Sequence, residues 1–158
     1  MSSNIEYLKG DATQPKTAGN KFIAHVCNDI GGWGAGFVVA LSRRWPEPEA
    51  AYREWFRIQQ PTFALGEVQL VQVEDDLWVA NMIGQRSIKG RSEGPPIRYE
   101  AIEDALEKLA LLAQEKSASV HMPRIGCGLA GGKWERIEPL IQKTLCAKDL
   151  QVFVYDFG

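Results

Sequence analysis

Between His25 and Leu41 the chain reads HVCNDIGGWGAGFVVAL, with Gly31, Gly32, Gly34 and Gly36 set around Trp33. A second glycine-rich stretch, RIGCGLAGG, covers residues 124–132. Each follows a short apolar run and precedes a helical pattern. Glycine-rich backbone takes positive φ and lets a ligand approach the main chain closely. A helix start just beyond it offers unpaired N–H groups and a partial positive charge. Two such loops side by side suit two phosphates. The spacing in GGWGAG does not match G-x-G-x-x-G, and no Lys-Ser/Thr pair follows either loop to make a Walker A site. A dehydrogenase or a P-loop ATPase is therefore disfavoured.

Other residues around these loops could take part in chemistry. Strand alternation puts His25, Cys27 and Asp29 on one side and Asn28 on the other. A histidine inside an apolar strand reads first as a satisfied core residue. Cys127 has no evident activating base, so it reads as a small packing residue rather than a nucleophile. A tryptophan in a glycine loop must pack on something, ligand or protein. Asp11, after Gly10, suits a turn in which its carboxylate caps nearby backbone.

The elements that must position these residues follow from periodicity. Residues 4–9 and 21–27 read as strands, the second apolar enough to be covered on both faces. Phe37, Val38, Leu41 and Trp45 recur at helical spacing within 35–45, and Pro46 and Pro48 end that run. A second short helix is expected over 49–58. Residues 66–73 and 77–83 flank Asp75-Asp76 and read as a hairpin. The polar stretch 84–96 reads as a mobile loop. Ile102, Ala105, Leu106, Leu109, Leu112 and Ala113 mark a strong amphipathic helix within 97–116. A short strand over 120–123, a helix over 133–145 and a closing strand over 151–157 complete the pattern. Strands alternating with helices predict an α/β fold, a three-layer α/β/α sandwich around a central mixed sheet.

The chain has 158 residues, which suits one domain over 1–158 with a real core. Its formal net charge of −2 argues against nucleic-acid binding through a general positive field. Three cysteines and two histidines, widely spaced, fit neither a disulfide framework nor a structural zinc site, and no metal is expected. Free thiols suit a reducing cytosol, so a cytoplasmic location is expected. No secretory leader or membrane-length apolar run is visible, and no membrane partner is expected.

With these motifs in this order, the sequence resembles the macrodomain family, whose members bind ADP-ribose. The resemblance rests on GDAT at 10–13, HVCN at 25–28, GGWGAG at 31–36, MPRIGCGLAGG at 122–132 and VYDF at 154–157. PRIGCGL is the most specific segment. It points to the subclass of the terminal ADP-ribose glycohydrolase and the yeast-type ADP-ribose 1″-phosphate phosphatase. The resemblance implies ADP-ribose or ADP-ribosylated proteins as partners, with no cofactor. It places Asp11 on the adenine amino group with the Ala12 N–H close to the ring, and Tyr155 against the adenine face, ahead of Phe157. Gly34, Ala35 and Gly36 would lie over the diphosphate and distal ribose, and Trp33 would wall that ribose. Ile125, Gly126, Cys127, Gly128 and Leu129 would form the second phosphate-side loop, and Asn28 would meet the distal ribose.

The terminal glycohydrolase carries a lysine where this chain has Gln85, and an aspartate where it has Ala130. Gln85 cannot form a lysine adduct, and Ala130 cannot act as acid or base. Lys89 and Arg86 are near in sequence but out of register. The resemblance then implies hydrolysis of ADP-ribose from acidic side chains without a lysine adduct. In that route Asn28 or Gln85 holds a water and Asp29 is the candidate base. Two alternatives stand beside it. One is a phosphatase or O-acetyl-ADP-ribose esterase, favoured by the match of His25, Cys27 and Asn28. The other is a non-catalytic reader.

Overall fold

The computed structural model describes residues 3–58, 61–88 and 94–157, with the side chain of Leu129 left out. In chain order the elements are β1 (Ile5–Lys9), β2 (Lys21–Asn28), α1 (Phe37–Arg44), α2 (Glu47–Ile58), β3 (Val68–Glu74), β4 (Leu77–Gln85), α3 (Tyr99–Lys116), β5 (Ser119–Met122), α4 (Trp134–Thr144) and β6 (Val152–Asp156). The strands form one sheet in the order β1-β6-β5-β2-β4-β3. All neighbours are parallel except β3 and β4, which form the expected antiparallel hairpin.

The sheet is covered on both faces because its inner strands are apolar on both. On β2, Phe22 and Ala24 pack with Ile102, Leu106 and Leu109 of α3 and Ile137 and Ile141 of α4. Ile23 and Cys27 face the other way, against Leu41 of α1 and Tyr52 and Trp55 of α2. Three layers result, α/β/α, as the alternation on β2 requires.

Element limits differ from the sequence expectation for local reasons. α2 starts at Glu47 rather than 49, with Pro48 in its first turn, where a missing N–H costs nothing. α1 stops at Arg44 because Trp45 precedes Pro46 and is extended. α3 starts at Tyr99 rather than 97 because Ile97 is drawn into a bridge with Gln85. Part of the stretch expected to be a mobile loop, residues 89–93 with Lys89, lies outside the described residues.

β1 and β2 are parallel but not adjacent, so residues 10–20 must carry the chain back across the sheet. They do so as a strap without a helix. Thr17 Oγ1 lies 3.2 Å from both Ser119 Oγ and His121 Nε2, pinning the strap over β5. The carboxyl ends of the five parallel strands therefore share one edge of the sheet. The segments that follow β1, β2, β4, β5 and β6 all leave from that edge, where open α/β sheets bind ligands.

Candidate functional site

The first glycine loop is organised by Asn28. A register shift between Cys27 and Asn28 breaks the alternation of β2. The Asn28 side chain consequently turns to the α2 side, shared with Cys27, rather than to the opposite face as alternation predicted. Its Oδ1 accepts from Ile30 N–H at 3.0 Å and Gly32 N–H at 2.9 Å, and its Nδ2 donates to Gly32 O at 3.0 Å. The buried Tyr52 hydroxyl lies 2.6 Å from Asn28 O and 2.8 Å from Oδ1. Both ends of the carboxamide thus shape the loop, with one of its two Nδ2 hydrogens donated to Gly32 O.

Trp33 is also an anchor rather than a wall. It is buried, its Nε1–H donates to Ser42 Oγ at 2.8 Å, and its ring packs on His25 and Tyr52 at centroid distances of 5.4 Å. Burying the indole holds the loop down and leaves Gly34, Ala35 and Gly36 exposed above it. Gly36 caps α1 at φ 82, ψ −144, a conformation essentially confined to glycine. It aims the start of α1 into the cleft with no acidic side chain in the first turn.

The second loop folds back on itself. Gly132 N–H donates to Gly126 O at 2.8 Å, and a Cβ on Gly132 would fall 2.3 Å from that oxygen. Only glycine permits this approach. Ile125 is buried beneath the loop, and Ala130 O accepts from Ile97 N–H at 3.0 Å. Leu129 belongs to a short 3-10 turn over Gly128–Ala130. Its expected ligand contact falls on a side chain outside the described residues.

Between the loops runs a cleft made of two adjoining hollows that share Gly36, Phe37 and Pro123. The inner one, about 400 Å³, is lined by Ala35, Gln85, Ile125, Gly126, Cys127 and Gly128, with His25 and Ala130. The outer one, about 460 Å³, is lined by Asp11, Ala12, Val39, Ala40, Tyr155 and Phe157. Together they have the size of a small-molecule site. Gly34, exposed in the first loop beside Ala35, lines neither hollow.

In the outer hollow, burial opposes the charged form of Asp11. Hydrogen bonds from Thr13 and Gln14 and the Arg44 charge outweigh it and hold the carboxyl below the usual range. Thr13 donates to Oδ1 through both N–H (2.9 Å) and Oγ1–H (2.7 Å). Asp11 is therefore the turn cap the sequence suggested and an ionised acceptor at the cleft wall. The Tyr155 hydroxyl lies 2.8 Å from His121 Nδ1, fixing its ring beside Asp11. Phe157 is 87% exposed and lines the same hollow. Sequence reading ranked it behind Tyr155, because a pattern in a closing strand does not tell an exposed ring from a core ring. Phe37, Val39 and Pro123 were not anticipated; the stripe of α1 facing the loops was the available signal.

The three candidate catalytic groups separate. Gln85 lines the inner hollow, its Nε2 donating to Ser87 O at 3.0 Å. Asp29 does not line it; its Oδ1 accepts from Ser87 N–H at 2.7 Å and ties the first loop to the exit of β4. The base expected at Asp29 is therefore a clamp. His25, expected to be core, is buried yet also reaches the inner hollow. Its Nε2 lies 2.5 Å from Asn81 Oδ1, and Asn81 Nδ2 donates to Gln69 Oε1 and Pro48 O, so Nε2 carries the proton. Burial pushes the imidazole down to about 4 against that hydrogen bond, so it is neutral at pH 7. Burial raises the Cys127 thiol against the Arg124 charge, in keeping with a packing role. No group of three or more His, Cys, Asp or Glu among the described residues is placed to hold a metal. Nor, among them, is any helix long and apolar enough to cross a membrane.

No family model matches the chain. Among solved structures, a macrodomain protein from Streptomyces coelicolor is 57% identical, with a TM-score of 0.89, over 98% of this chain and 100% of the other. A protein of unknown function from Bacteroides thetaiotaomicron is 57% identical, with a TM-score of 0.94, over 97% and 98%. Among curated proteins, the mouse chromodomain-helicase-DNA-binding protein 1-like is 34% identical over 99% of this chain, which spans only 18% of that relative. The human ADP-ribose glycohydrolase OARD1 is 28% identical, over 97% of this chain and 91% of the relative. The ADP-ribose 1″-phosphate phosphatase of Lodderomyces elongisporus is 26% identical, over 96% and 99%.

Proposed function

This chain belongs to the macrodomain family, and from that premise we propose that its cleft binds ADP-ribose and hydrolyses it from acidic side chains of proteins. The observation that carries the reading is the continuous cleft, with ionised Asp11 and two aromatic rings at one end and Gln85 between two glycine loops at the other. The adenine lies in the outer hollow, its amino group donating to Asp11 and its ring against Tyr155 and Phe157. The Ala12 N–H stands beside it. The diphosphate lies at the start of α1, beside Ala35 and Gly36, facing Ile125, Gly126, Cys127 and Gly128. Oriented N–H groups and the helix terminus hold its charge. The distal ribose then reaches Gln85. OARD1 and the yeast-type phosphatase, named for action on ADP-ribose compounds, are similar over most of their length, which supports a hydrolytic role.

The chemistry suits a site without lysine or aspartate at positions 85 and 130. In an ADP-ribosyl ester the leaving group is a carboxylate with a pKa of about 4, so it departs without a proton. Water attacks C1″; the new C1″–O bond forms as the bond to the carboxylate breaks, and the water's surplus proton passes to solvent. Gln85 orients that water, while Asn28 and Asp29 hold the loops that orient Gln85. Positioning and fixed dipoles supply the acceleration. The test is a protein mono-ADP-ribosylated on glutamate, with released ADP-ribose as the readout. The Gln85→Ala variant is expected to lose at least about tenfold in turnover, about 1.4 kcal/mol, with ADP-ribose affinity retained. A wild type that binds but releases nothing leaves a reader.

A second reading, hydrolysis of a 1″-phosphate, is favoured by His25. Its Nδ1 lone pair is free of the Asn81 bond, and the residue lines the inner hollow. Phosphate release from ADP-ribose 1″-phosphate, lost on His25→Asn, distinguishes it.

A further inference from the structure

Three residues other than glycine hold positive φ among the described residues: Ser87, Ser117 and Asp149. Two of them stop a helix. Ser117 caps the end of α3 and Asp149 the end of a short 3-10 turn over Cys146–Lys148, where a left-handed residue is common. Ser87, at φ 59, lies two residues beyond β4 and ends no helix. A residue with a Cβ is strained there, and such strain persists only where its surroundings impose it. They do so from both sides. The Ser87 N–H donates to Asp29 Oδ1 at 2.7 Å, and the Ser87 carbonyl accepts from Gln85 Nε2 at 3.0 Å. The chain between is pinned as well, since Gln85 bridges to Ile97 and the Arg86 N–H donates to Pro96 O at 2.8 Å.

We propose that Ser87 is a positioning residue for Gln85: its left-handed backbone, clamped by Asp29, sets the plane of the Gln85 carboxamide in the inner hollow. The proposal rests on the reading that Gln85 orients the attacking water. A carbonyl oxygen only accepts, so the contact with Ser87 O requires the nitrogen end of the carboxamide there. One Nε2 hydrogen is given to Ser87 O, and Oε1 and the second hydrogen are thereby fixed relative to the hollow that Gln85 lines. Ser87 does not line that hollow. It acts through the place of its carbonyl, not through its hydroxyl. Attack on C1″ tolerates little error in the position of the water; a shift of about 1 Å can cost about a hundredfold in rate. The adenine and diphosphate contacts lie elsewhere in the cleft, so Ser87 governs turnover and not affinity.

The test pairs turnover of a protein mono-ADP-ribosylated on glutamate with calorimetry on ADP-ribose, which also reports a folded cleft. Ser87→Val puts a β-branched residue where positive φ is least tolerated. Its kcat is expected to fall about tenfold, with ADP-ribose affinity within about twofold of wild type. Ser87→Gly is at ease in that conformation and is expected to keep kcat within about threefold of wild type. Asp29→Asn keeps an acceptor for the Ser87 N–H and should retain most turnover, whereas Asp29→Ala should lose it as Ser87→Val does. Because Ser87 acts through Gln85, adding Ser87→Val to Gln85→Ala should cost nothing further, while a merely structural role would lower both backgrounds alike. Unchanged turnover in Ser87→Val, losses that multiply in the double variant, or a Ser87→Gly loss equal to that of Ser87→Val overturns this inference alone. Should Ser87→Val lose ADP-ribose binding, the two Asp29 variants decide, and equal turnover in them overturns it. A wild type that releases no ADP-ribose overturns the proposed hydrolysis and this inference with it.

Discussion

Asn28→Ala strips the partners from Ile30 N–H, Gly32 N–H and Gly32 O in one step, while the Tyr52 hydroxyl keeps the backbone oxygen of residue 28 as its acceptor. Groups buried without partners carry their full desolvation penalty, so the variant is expected to lose about 3 kcal/mol of stability. Urea unfolding checks this; a loss below about 0.5 kcal/mol contradicts the scaffold role. Single residues were the least legible part of the sequence. HVCN drew attention to Asn28, but the bulge after Cys27 decides where its side chain points, and nothing in the residue types announces a bulge. Trp33 failed for a related reason. Its need to pack was evident, but whether ligand or protein would cover it depended on Ser42, His25 and Tyr52 meeting beneath the loop.

At the scale of elements, α1 and its cap do the positioning. Gly36 holds a backbone conformation that other residues adopt only under strain, yet nothing lies within 4 Å of where its Cβ would be. Gly36→Ala therefore keeps the fold while reorienting the helix start. ADP-ribose affinity is expected to fall about tenfold or more, from roughly 1–3 kcal/mol of backbone strain. Gly34→Ala, at an open position with no positive φ, should stay within about twofold of wild type. Calorimetry on the pair tests the claim, and equal losses would contradict it. Elements were largely readable. The strong periodicity of α3 and the two-faced apolar run of β2 gave the sandwich, and the turn at Asp75-Asp76 gave the hairpin. The strap over residues 10–20 was not readable, because its path follows from strand order, which is a property of the sheet and not of any local pattern.

Across the whole molecule, two neutral histidines lie buried on the α1/α2 face of the sheet. Burial pushes both His25 and His121 down to about 4. In the unfolded chain they titrate near 6.5, so between those values the unfolded state binds protons that the folded state refuses. Stability is therefore fully present above about 6.5 and falls as pH drops toward 4. Melting temperature measured from pH 7.5 to 4.5 should decline chiefly below about 6.5, and His121→Gln should flatten the decline. A profile flat through that window contradicts the burial argument. The cleft itself is a whole-molecule feature. Its glycine loops were legible as a pair, but its outer end draws on Val39, Ala40 and Arg43 of α1 and on Phe157, which come together only when the sheet is ordered. The most direct measurement of the central claim is a calorimetric titration of the wild type with ADP-ribose, with AMP and NAD as comparisons. Binding at low micromolar or tighter, about −8 kcal/mol, and selective over AMP, is the predicted result. No binding, or binding no tighter than AMP, would contradict the assignment of the two loops to a diphosphate and the ribose beyond it.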